Sequence, residues 1–304
     1  MAGLIFCLLI LKTLVLAMDN LIRYGAELNQ NVLDFDAEYP SVRLSPCSVG
    51  DDNPNKSKNR THSNQWRDHD NFKNYQSMPI SEHTYNADDF YYDTNANGFR
   101  CDDFDTMDFT KKSVIYLGCS HTFGMGLPEE HSWPSITHNK LQKQHNTKYN
   151  YINLGIPGVG ADYYLHFLPY FAKFNPEIII SCNPEITRMN AISSDNIIFH
   201  LTPFSVLDKH YIKTKDIKLT AKEIMYRNSI LEHCGDFEYK QQVIFANVKS
   251  VAKLLNAQFI EVDNSVLIEC HGHDAEDNAR DNAHCGKIAN EKFSEIILNK
   301  IKGN

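Results

Sequence analysis

The stretch "SVIYLGCSHTFGMG", Ser113 to Gly126, decides how the rest of the chain is interpreted. It opens with a short, β-branched apolar run, which predicts a buried strand. The run stops at Gly118, and small polar residues follow. A strand that ends this way is an ordinary turn, but many α/β folds also place a nucleophile or a phosphate at this point. The rest of the chain must therefore show whether Ser120 is a turn residue or a reactive hydroxyl.

Strands and helices alternate downstream of this stretch. Further strands are predicted for "YNYINLG", "PEIIISC" and "QFIEVD". Helical spacing of apolar residues is seen in "WPSITHNKLQKQ", "ADYYLHFLPYFAKF", "YKQQVIFANVKSVAKLLNA" and "GKIANEKFSEIILNKI". The strands lack a pattern of alternating apolar and polar residues, which is typical of a sheet covered on both faces. The pattern predicts an α/β domain with a parallel sheet between two layers of helices.

Composition limits the classes of protein to which the chain can belong. Its 304 residues are enough for one large domain or two small ones, and 42% are apolar. The net charge of −8, without a block of like charges, argues against a nucleic-acid partner. Eight cysteines without a C-x-x-C pair do not require a disulfide framework, so buried free thiols are expected.

The first 17 residues are treated apart from the fold. They form an apolar run that Lys12 interrupts and that ends in Val15-Leu16-Ala17. The run is too short and too interrupted for a stable membrane helix. Two interpretations stay open: a signal peptide, which predicts a secreted protein, or a non-native start before Met18, which predicts a cytoplasmic one.

Residues 18–110 are predicted to form an irregular extension that precedes the α/β domain of residues 111–304. Residues 46–76 are almost wholly polar and are interpreted as a long surface loop, in which Trp66 is an isolated apolar residue. The aromatic-rich residues that follow predict short extended pieces around Asn97-Gly98.

Two kinds of ligand site are considered and not favoured. The glycines of the opening stretch and of "GIPGVG" match neither a P-loop nor a dinucleotide fingerprint, so no nucleotide cofactor is predicted. Cys270, His271 and His273 lie close enough along the chain to approach one metal ion. Their spacing matches no structural zinc pattern, so a solvated loop is favoured and no metal is predicted.

Catalysis by Ser120 requires a base and a group that orients that base. The loop before the last predicted helix contains Asp281 and His284, whose spacing lets one turn hold both. Acyl transfer also requires donors for the developing oxyanion. The glycines of "NLGIPG" follow the second strand, and Asn183 follows the third. Three successive strands thus end in groups of the kinds that acyl transfer needs.

This ordered set of motifs resembles the SGNH hydrolases, also called the GDSL lipase/esterase family. The similarity covers about residues 111–300 and includes "GCSHTFGMG", "INLGIPGVGADY" and the Asp-x-x-His of the last loop. It implies a three-layer, flavodoxin-like α/β/α domain and an esterase that needs no cofactor. It also implies roles for five residues: Ser120 as nucleophile, His284 as base, Asp281 as its orienter, and Gly158 and Asn183 as oxyanion donors beside the N–H of Ser120.

The sequence departs from the family pattern in two of its blocks. Cys119 replaces the aspartate that precedes the serine, although that aspartate is not the triad acid. The third block, Gly-x-Asn-Asp, reads Ser181-Cys182-Asn183-Pro184, so of its defined residues the asparagine alone is kept. Arg188 lies five residues beyond Asn183 and is interpreted as a surface arginine, with contact to an anionic substrate group as the alternative.

We therefore expect a serine esterase that acts on carboxylic esters through an acyl-enzyme on Ser120. The substrate is expected to be a small molecule or a glycan, such as an acetyl or acyl ester on a carbohydrate or a lipid. Two alternatives stay open: an SGNH-type acyltransferase, and a catalytically inactive SGNH-like module that binds glycans.

Overall fold

The computed structural model describes residues 59–66, 70, 72–77, 84–186, 188–192, 198–201, 237–272 and 277–303. The predictions for residues 1–17 and for most of the polar loop 46–76 lie outside these residues. The strands are β1 (His62–Asn64), β2 (Tyr92–Thr94), β3 (Ser113–Leu117), β4 (Asn150–Asn153), β5 (Pro176–Asn183), β6 (Met189–Ile192), β7 (Ile198–Leu201) and β8 (Gln258–Asp263). The helices are α1 (Phe72–Ser77), α2 (Ser120–Phe123), α3 (Trp133–His145), α4 (Phe237–Leu254), α5 (Asn264–His271) and α6 (Lys287–Gly303).

The central sheet has four parallel strands in the order β4-β3-β5-β8. All four coincide with predicted strands, so the predicted parallel sheet is confirmed. Strand β3 therefore lies between the two strands that follow it in the chain, with β4 paired to one of its edges and β5 to the other. The direction in which the chain adds strands to the sheet reverses at β3. Ligands of open α/β sheets bind at such a switch point, beyond the carboxyl ends of the strands.

Apolar side chains on both faces of the sheet bury it between two layers. Strands β3 and β5 turn Ile115, Leu117 and Ile179 toward α4. Their other face turns Val114, Tyr116 and Ile180 toward α3, α5 and α6. The predicted three-layer arrangement is therefore confirmed, and the uninterrupted apolar strands result from burial on both sides.

The prediction of a continuous helix in "ADYYLHFLPYFAKF" is wrong. The segment forms two short 3₁₀-helices, Ala161–His166 and Leu168–Tyr170. Ala161, Tyr164, Phe167 and Tyr170 are buried at a spacing of three residues, and Tyr163 and Phe171 are buried beside them. This period matches a 3₁₀-helix, in which residues three apart lie above one another. Pro169 also lacks the N–H that a longer α-helix would need.

The described part of the extension is more ordered and more buried than the sequence predicts. Strands β1 and β2 pair antiparallel, and a turn with Gly98 at φ 89° follows β2, as predicted. Trp66, however, is 6% exposed, and Asp70 is 1% exposed. These two side chains of the predicted surface loop are therefore packed into the protein.

Two further observations concern the described residues alone. Cys101, Cys119, Cys182 and Cys285 are buried free thiols, and Cys270 is a partly buried one, as predicted. The described helices include none that is both long and apolar enough to cross a membrane.

Buried His138 on α3 is expected to make stability depend on pH. Burial lowers its pKa to about 4, so the folded protein keeps the ring neutral at pH values where the unfolded chain protonates it. The free energy of unfolding should therefore fall as pH drops from about 6.5 to about 4, by at most about 1.4 kcal/mol per pH unit from this group. In urea unfolding at several pH values, His138→Phe should show a smaller pH slope than wild type. Parallel curves would contradict this prediction.

Candidate active site

The turn that presents Ser120 depends on Gly118. A Cβ on Gly118 would overlap the Thr122 side chain, so a larger residue would push α2 away from the end of β3. Helix α2 begins at Ser120 and is closed by Gly124, which adopts the left-handed φ of 78°. Ser120 is 7% exposed and lies just beyond β3, at the switch point of the sheet.

The loop between α5 and α6 folds Asp281 and His284 into one closed turn. Asp281 Oδ1 accepts hydrogen bonds from the backbone N–H groups of Ala283 (3.1 Å) and His284 (3.2 Å). Asn282 makes the reversal possible with a left-handed φ of 52°. The carbonyl of His284 accepts from the Ala279 N–H at 3.0 Å, which closes the turn. The spacing of three residues therefore places both side chains on one side of the turn.

His284 connects Asp281 to Ser120. Its Nδ1 lies 2.6 Å from Asp281 Oδ2, and its Nε2 lies 2.8 Å from Ser120 Oγ. An ionised carboxylate can only accept a hydrogen bond, so the proton belongs on Nδ1. That tautomer leaves the lone pair of Nε2 facing the serine hydroxyl. The side chains of His284 and Asp281 are 11% and 0% exposed, which shields the pair from water.

Asp281 stays ionised despite its burial. Burial alone would raise its pKa, but the charge of His284 and its hydrogen bond, together with two backbone N–H groups, lower the pKa below the usual value. The carboxylate is therefore negative throughout the pH range in which an imidazole base works.

His121 lies beside His284, with a distance of 4.9 Å between their ring centroids in an edge contact. Its pKa is lowered to about 3, first by burial and then by the nearby charges of His284 and Arg188. His121 is thus neutral near pH 7 and adds no positive charge next to His284.

Two of the predicted oxyanion donors are backbone N–H groups. The Ser120 N–H is in the first turn of α2, where helical N–H groups have no partner within the helix. Gly158 adopts a left-handed φ of 80° in the turn after β4. Asn153 connects that turn to α2, because its Nδ2 donates to Thr122 O at 2.9 Å and its Oδ1 accepts from the Gly155 N–H at 2.9 Å.

The third predicted donor, Asn183, ends β5 and is held by two side chains. Its Nδ2 donates to Glu261 Oε1 at 2.8 Å, and its Oδ1 accepts from Ser181 Oγ at 2.8 Å. An asparagine amide has two N–H bonds, so one remains for another acceptor. Among the hydrogen bonds of the described residues, none joins Asn183 to Ser120 or His284.

Arg188 is not a freely solvated arginine. Its side chain is 24% exposed, and its Nε lies 3.7 Å from Glu185 Oε2. Its carbonyl packs directly on Gly160, where a Cβ would overlap it. Arg188 therefore lies against the turn that follows β4, close to the predicted donor Gly158.

The described residues give no support to a metal site around Cys270 and His271. They contain no group of three or more His, Cys, Asp or Glu side chains placed to hold a metal ion. His271 lies on α5, with its Nε2 3.0 Å from Asn278 Oδ1, and His273 lies outside the described residues.

No protein-family model and no curated protein matches this chain. Among solved structures, it is similar to TesA, with 13% identity and a TM-score of 0.34 over 63% of this chain and 99% of that one. It is also similar to the acetyl xylan esterase AlAXEase (14%, TM-score 0.31, 62% and 99% of the two chains). A third similar structure is that of AlinE4, an SGNH-hydrolase family esterase. Its sequence identity is 14% and its TM-score is 0.28, over 64% of this chain and 96% of that one. TM-scores this low carry no argument about family or chemistry, so the resemblance to the SGNH hydrolases rests on the sequence motifs and on this chain's own side chains.

Several residues around the site were not predicted from the sequence. Arg280 is fully buried directly before Asp281, and its partner Asp70 lies 210 positions away. Tyr92 and Gly126 connect the same region. The one local signal is a charged residue beside the Asp-x-x-His motif, and no sequence pattern links it to Asp70.

Proposed function

We propose that this protein is a serine esterase of the SGNH type, with Ser120 as nucleophile, His284 as general base and Asp281 as its orienter. The observation that carries the proposal is the double contact of His284, whose two ring nitrogens lie 2.8 Å from Ser120 Oγ and 2.6 Å from Asp281 Oδ2. Nucleophile, base and orienter in hydrogen-bond contact are what activation of a serine requires.

In the first half-reaction, Ser120 Oγ bonds to the ester carbonyl carbon while its proton passes to His284 Nε2. The tetrahedral intermediate collapses as the carbon–oxygen bond to the alcohol breaks, and the imidazolium returns that proton to the leaving alcohol. Asp281 stabilises the imidazolium through Nδ1 without taking its proton.

In the second half-reaction, His284 takes a proton from water, and the hydroxide so formed attacks the acyl-enzyme. The bond from the acyl carbon to Ser120 Oγ then breaks, the imidazolium returns its proton to that oxygen, and the carboxylic acid is released. Transfer to another alcohol would follow the same steps with that alcohol in place of water. We propose hydrolysis of an acetyl or acyl ester on a carbohydrate or a lipid, with no cofactor.

The proposed oxyanion donors are the N–H groups of Ser120 and Gly158 and the remaining N–H of Asn183. Asn183→Ala should lower kcat by about 100-fold, because removal of one such donor typically costs that much. KM should change little, since the donor faces charge that develops in the transition state. The kinetics of a p-nitrophenyl ester measure both constants, and an unchanged kcat would exclude Asn183 from the oxyanion hole.

The test of the function combines a panel of esters with covalent labelling. The purified wild type is offered p-nitrophenyl esters of increasing acyl length and acetylated sugars, and it is separately treated with a fluorophosphonate probe. We expect turnover of at least one ester class and labelling at Ser120. Glycan binding without turnover of any ester, and without labelling, would overturn the proposal in favour of an inactive binding module.

A further inference from the structure

The side chain of Arg280, in the loop between α5 and α6, is fully buried. Its guanidinium forms a two-pronged ion pair with Asp70, with Nε to Oδ1 at 3.1 Å and Nη2 to Oδ2 at 2.7 Å. Both side chains are 0% exposed. The guanidinium also packs against the rings of Trp66 and Phe90, with distances of 4.3 and 3.8 Å to their centroids.

Backbone carbonyls of the extension complete the enclosure. Arg280 Nη1 donates to Ala87 O at 2.7 Å, and Nη2 donates to Gln65 O at 2.5 Å. The planar fork of an arginine fits such a set of fixed acceptors, whereas a lysine offers only a point charge. The residue before Asp281 is therefore held by the N-terminal extension, in part by Gln65 and Asp70 of the predicted surface loop.

The same network reaches the nucleophile turn through Gly126. The Arg280 N–H donates to Gly126 O at 2.8 Å, and the Gly126 N–H donates to the Tyr92 hydroxyl at 2.7 Å. The Tyr92 hydroxyl in turn donates to Asp70 Oδ2. Gly126 has a left-handed φ of 73°, and a Cβ there would lie 3.0 Å from Asp281 Oδ1. The two loops that carry Ser120 and Asp281 thus meet at this glycine.

A second buried arginine holds the nucleophile turn from the same side. Arg100 donates to Phe123 O (3.1 Å), Gly124 O (2.7 Å) and Leu127 O (2.8 Å). Its guanidinium lies 4.9 Å from the centroid of the Tyr92 ring. Tyr92 therefore contacts groups that hold both loops.

We propose that Trp66, Asp70, Phe90 and Tyr92, which we call the extension brace, position the acid–base turn against Ser120 by holding Arg280. Asp70, Tyr92 and Arg280 are positioning residues: they touch no reacting atom and act through Asp281 and His284. The proposal rests on the proposed function. It assigns to the extension a role in catalysis beyond its contribution to the fold.

The physical reason lies in how sharply proton transfer depends on geometry. A catalytic group has to be held within about 0.5 Å of its productive position, and a misplacement of 1 Å can cost about 100-fold in rate. The turn around Asp281 is short and exposed to solvent at Asn282 and Ala283, so its packing against the rest of the protein comes from the other side, where Arg280 lies. The buried Arg280 side chain anchors that turn on rigid neighbours.

The test uses Asp70→Asn, which keeps the shape of the side chain and removes its charge. We expect kcat to fall by about 10-fold to 100-fold with KM changed less than about twofold. The acid limb of kcat/KM should also shift to lower pH, because a looser Asp281 stabilises the protonated base less. The downfield NMR resonance of the His284 Nδ1 proton should broaden or move, and this readout does not depend on ester turnover.

Two further variants keep the test decisive. Tyr92→Phe removes only the hydroxyl between Asp70 and Gly126 and serves if Asp70→Asn does not fold; it should show the same changes to a smaller extent. Arg60→Met is the matched control, since Arg60 is a cation of the extension with a side chain that is 8% exposed, and its partners are Asp102, Glu129 and the carbonyl of Asp93 instead of Asp70. It should lower the melting temperature and leave kcat, the pH limb and the Nδ1 resonance unchanged.

The outcomes separate this proposal from the proposed function. Wild-type kcat, pH profile and Nδ1 resonance in Asp70→Asn and Tyr92→Phe would overturn the brace and leave the esterase in place. A wild type that neither hydrolyses esters nor takes the fluorophosphonate would overturn the esterase. In that case, the response of the Nδ1 resonance alone decides whether Asp70 positions the turn.

Discussion

Ser120→Ala is expected to lower kcat for ester hydrolysis by about 10,000-fold or more. Without the hydroxyl, no acyl-enzyme can form, and His284 loses the group that its Nε2 faces at 2.8 Å. Loss of a catalytic serine removes the whole covalent route, and what remains comes from substrate binding and the oxyanion donors. The change removes one hydrogen bond of a side chain that is 7% exposed and adds no bulk, so the free energy of unfolding should fall by only about 1 kcal/mol.

The measurement pairs kcat with fluorophosphonate labelling. Ser120→Ala should take up no probe, while substrate still binds. Ser294→Ala is the matched control, because Ser294 is also buried and its hydroxyl lies 3.0 Å from Thr137 Oγ1, between α6 and α3. It should label and turn over like wild type. Equal labelling of Ser120→Ala and wild type would show that another residue is the nucleophile.

Asp281→Asn is expected to lower kcat by about 10,000-fold with little change in KM. The amide keeps the size of the carboxylate, and its oxygen can still accept from the N–H groups of Ala283 and His284. Its NH₂ group then faces His284 Nδ1 as a donor, so the proton of the ring moves to Nε2. That tautomer points an N–H at Ser120 Oγ and cannot accept its proton.

The control for this change is Asp277→Asn in the same loop. Asp277 is 4% exposed, and its carboxylate accepts from the backbone N–H groups of Ile288 (2.8 Å) and Ala289 (2.7 Å) at the start of α6. The variant should lower the melting temperature through loss of a helix cap, with kcat within about twofold of wild type. If both asparagine variants lost activity equally, the loss would reflect damage to the loop instead of the wrong tautomer.

Much of the candidate site could be predicted because its chemistry is local. The turn after β3 needs Gly118 and ends in Ser120, and the turn at Asp281 needs three residues to bring an acid and a base together. Each motif consists of a few residues that are adjacent in the sequence, so the sequence alone reveals it. The parallel sheet then brings the two turns to one edge, since parallel strands carry their carboxyl ends to the same side.

Two segments differ from the prediction, and the residues that pack against each of them are distant in the sequence. The polar residues around Trp66 and Asp70 are typical of a solvated loop until Arg280, more than 200 positions later, supplies the charge and the ring contacts that bury them. The segment from Ala161 to Phe174 has apolar spacing that fits a helix. It forms two short 3₁₀-helices instead, and Pro169 lacks the N–H that a continuous α-helix would need there.

By itself, the sequence determined the parallel sheet, the order of its layers and the turns that present Ser120, Asp281 and His284. These features follow from apolar periodicity and from backbone restrictions that act within a few residues. Only the tertiary structure decided that His284 contacts both Ser120 and Asp281, that Ser181 and Glu261 hold Asn183, and that Asp70 holds Arg280. Burial of a charge or an amide depends on which distant groups surround it, and that information exists only once the chain has folded.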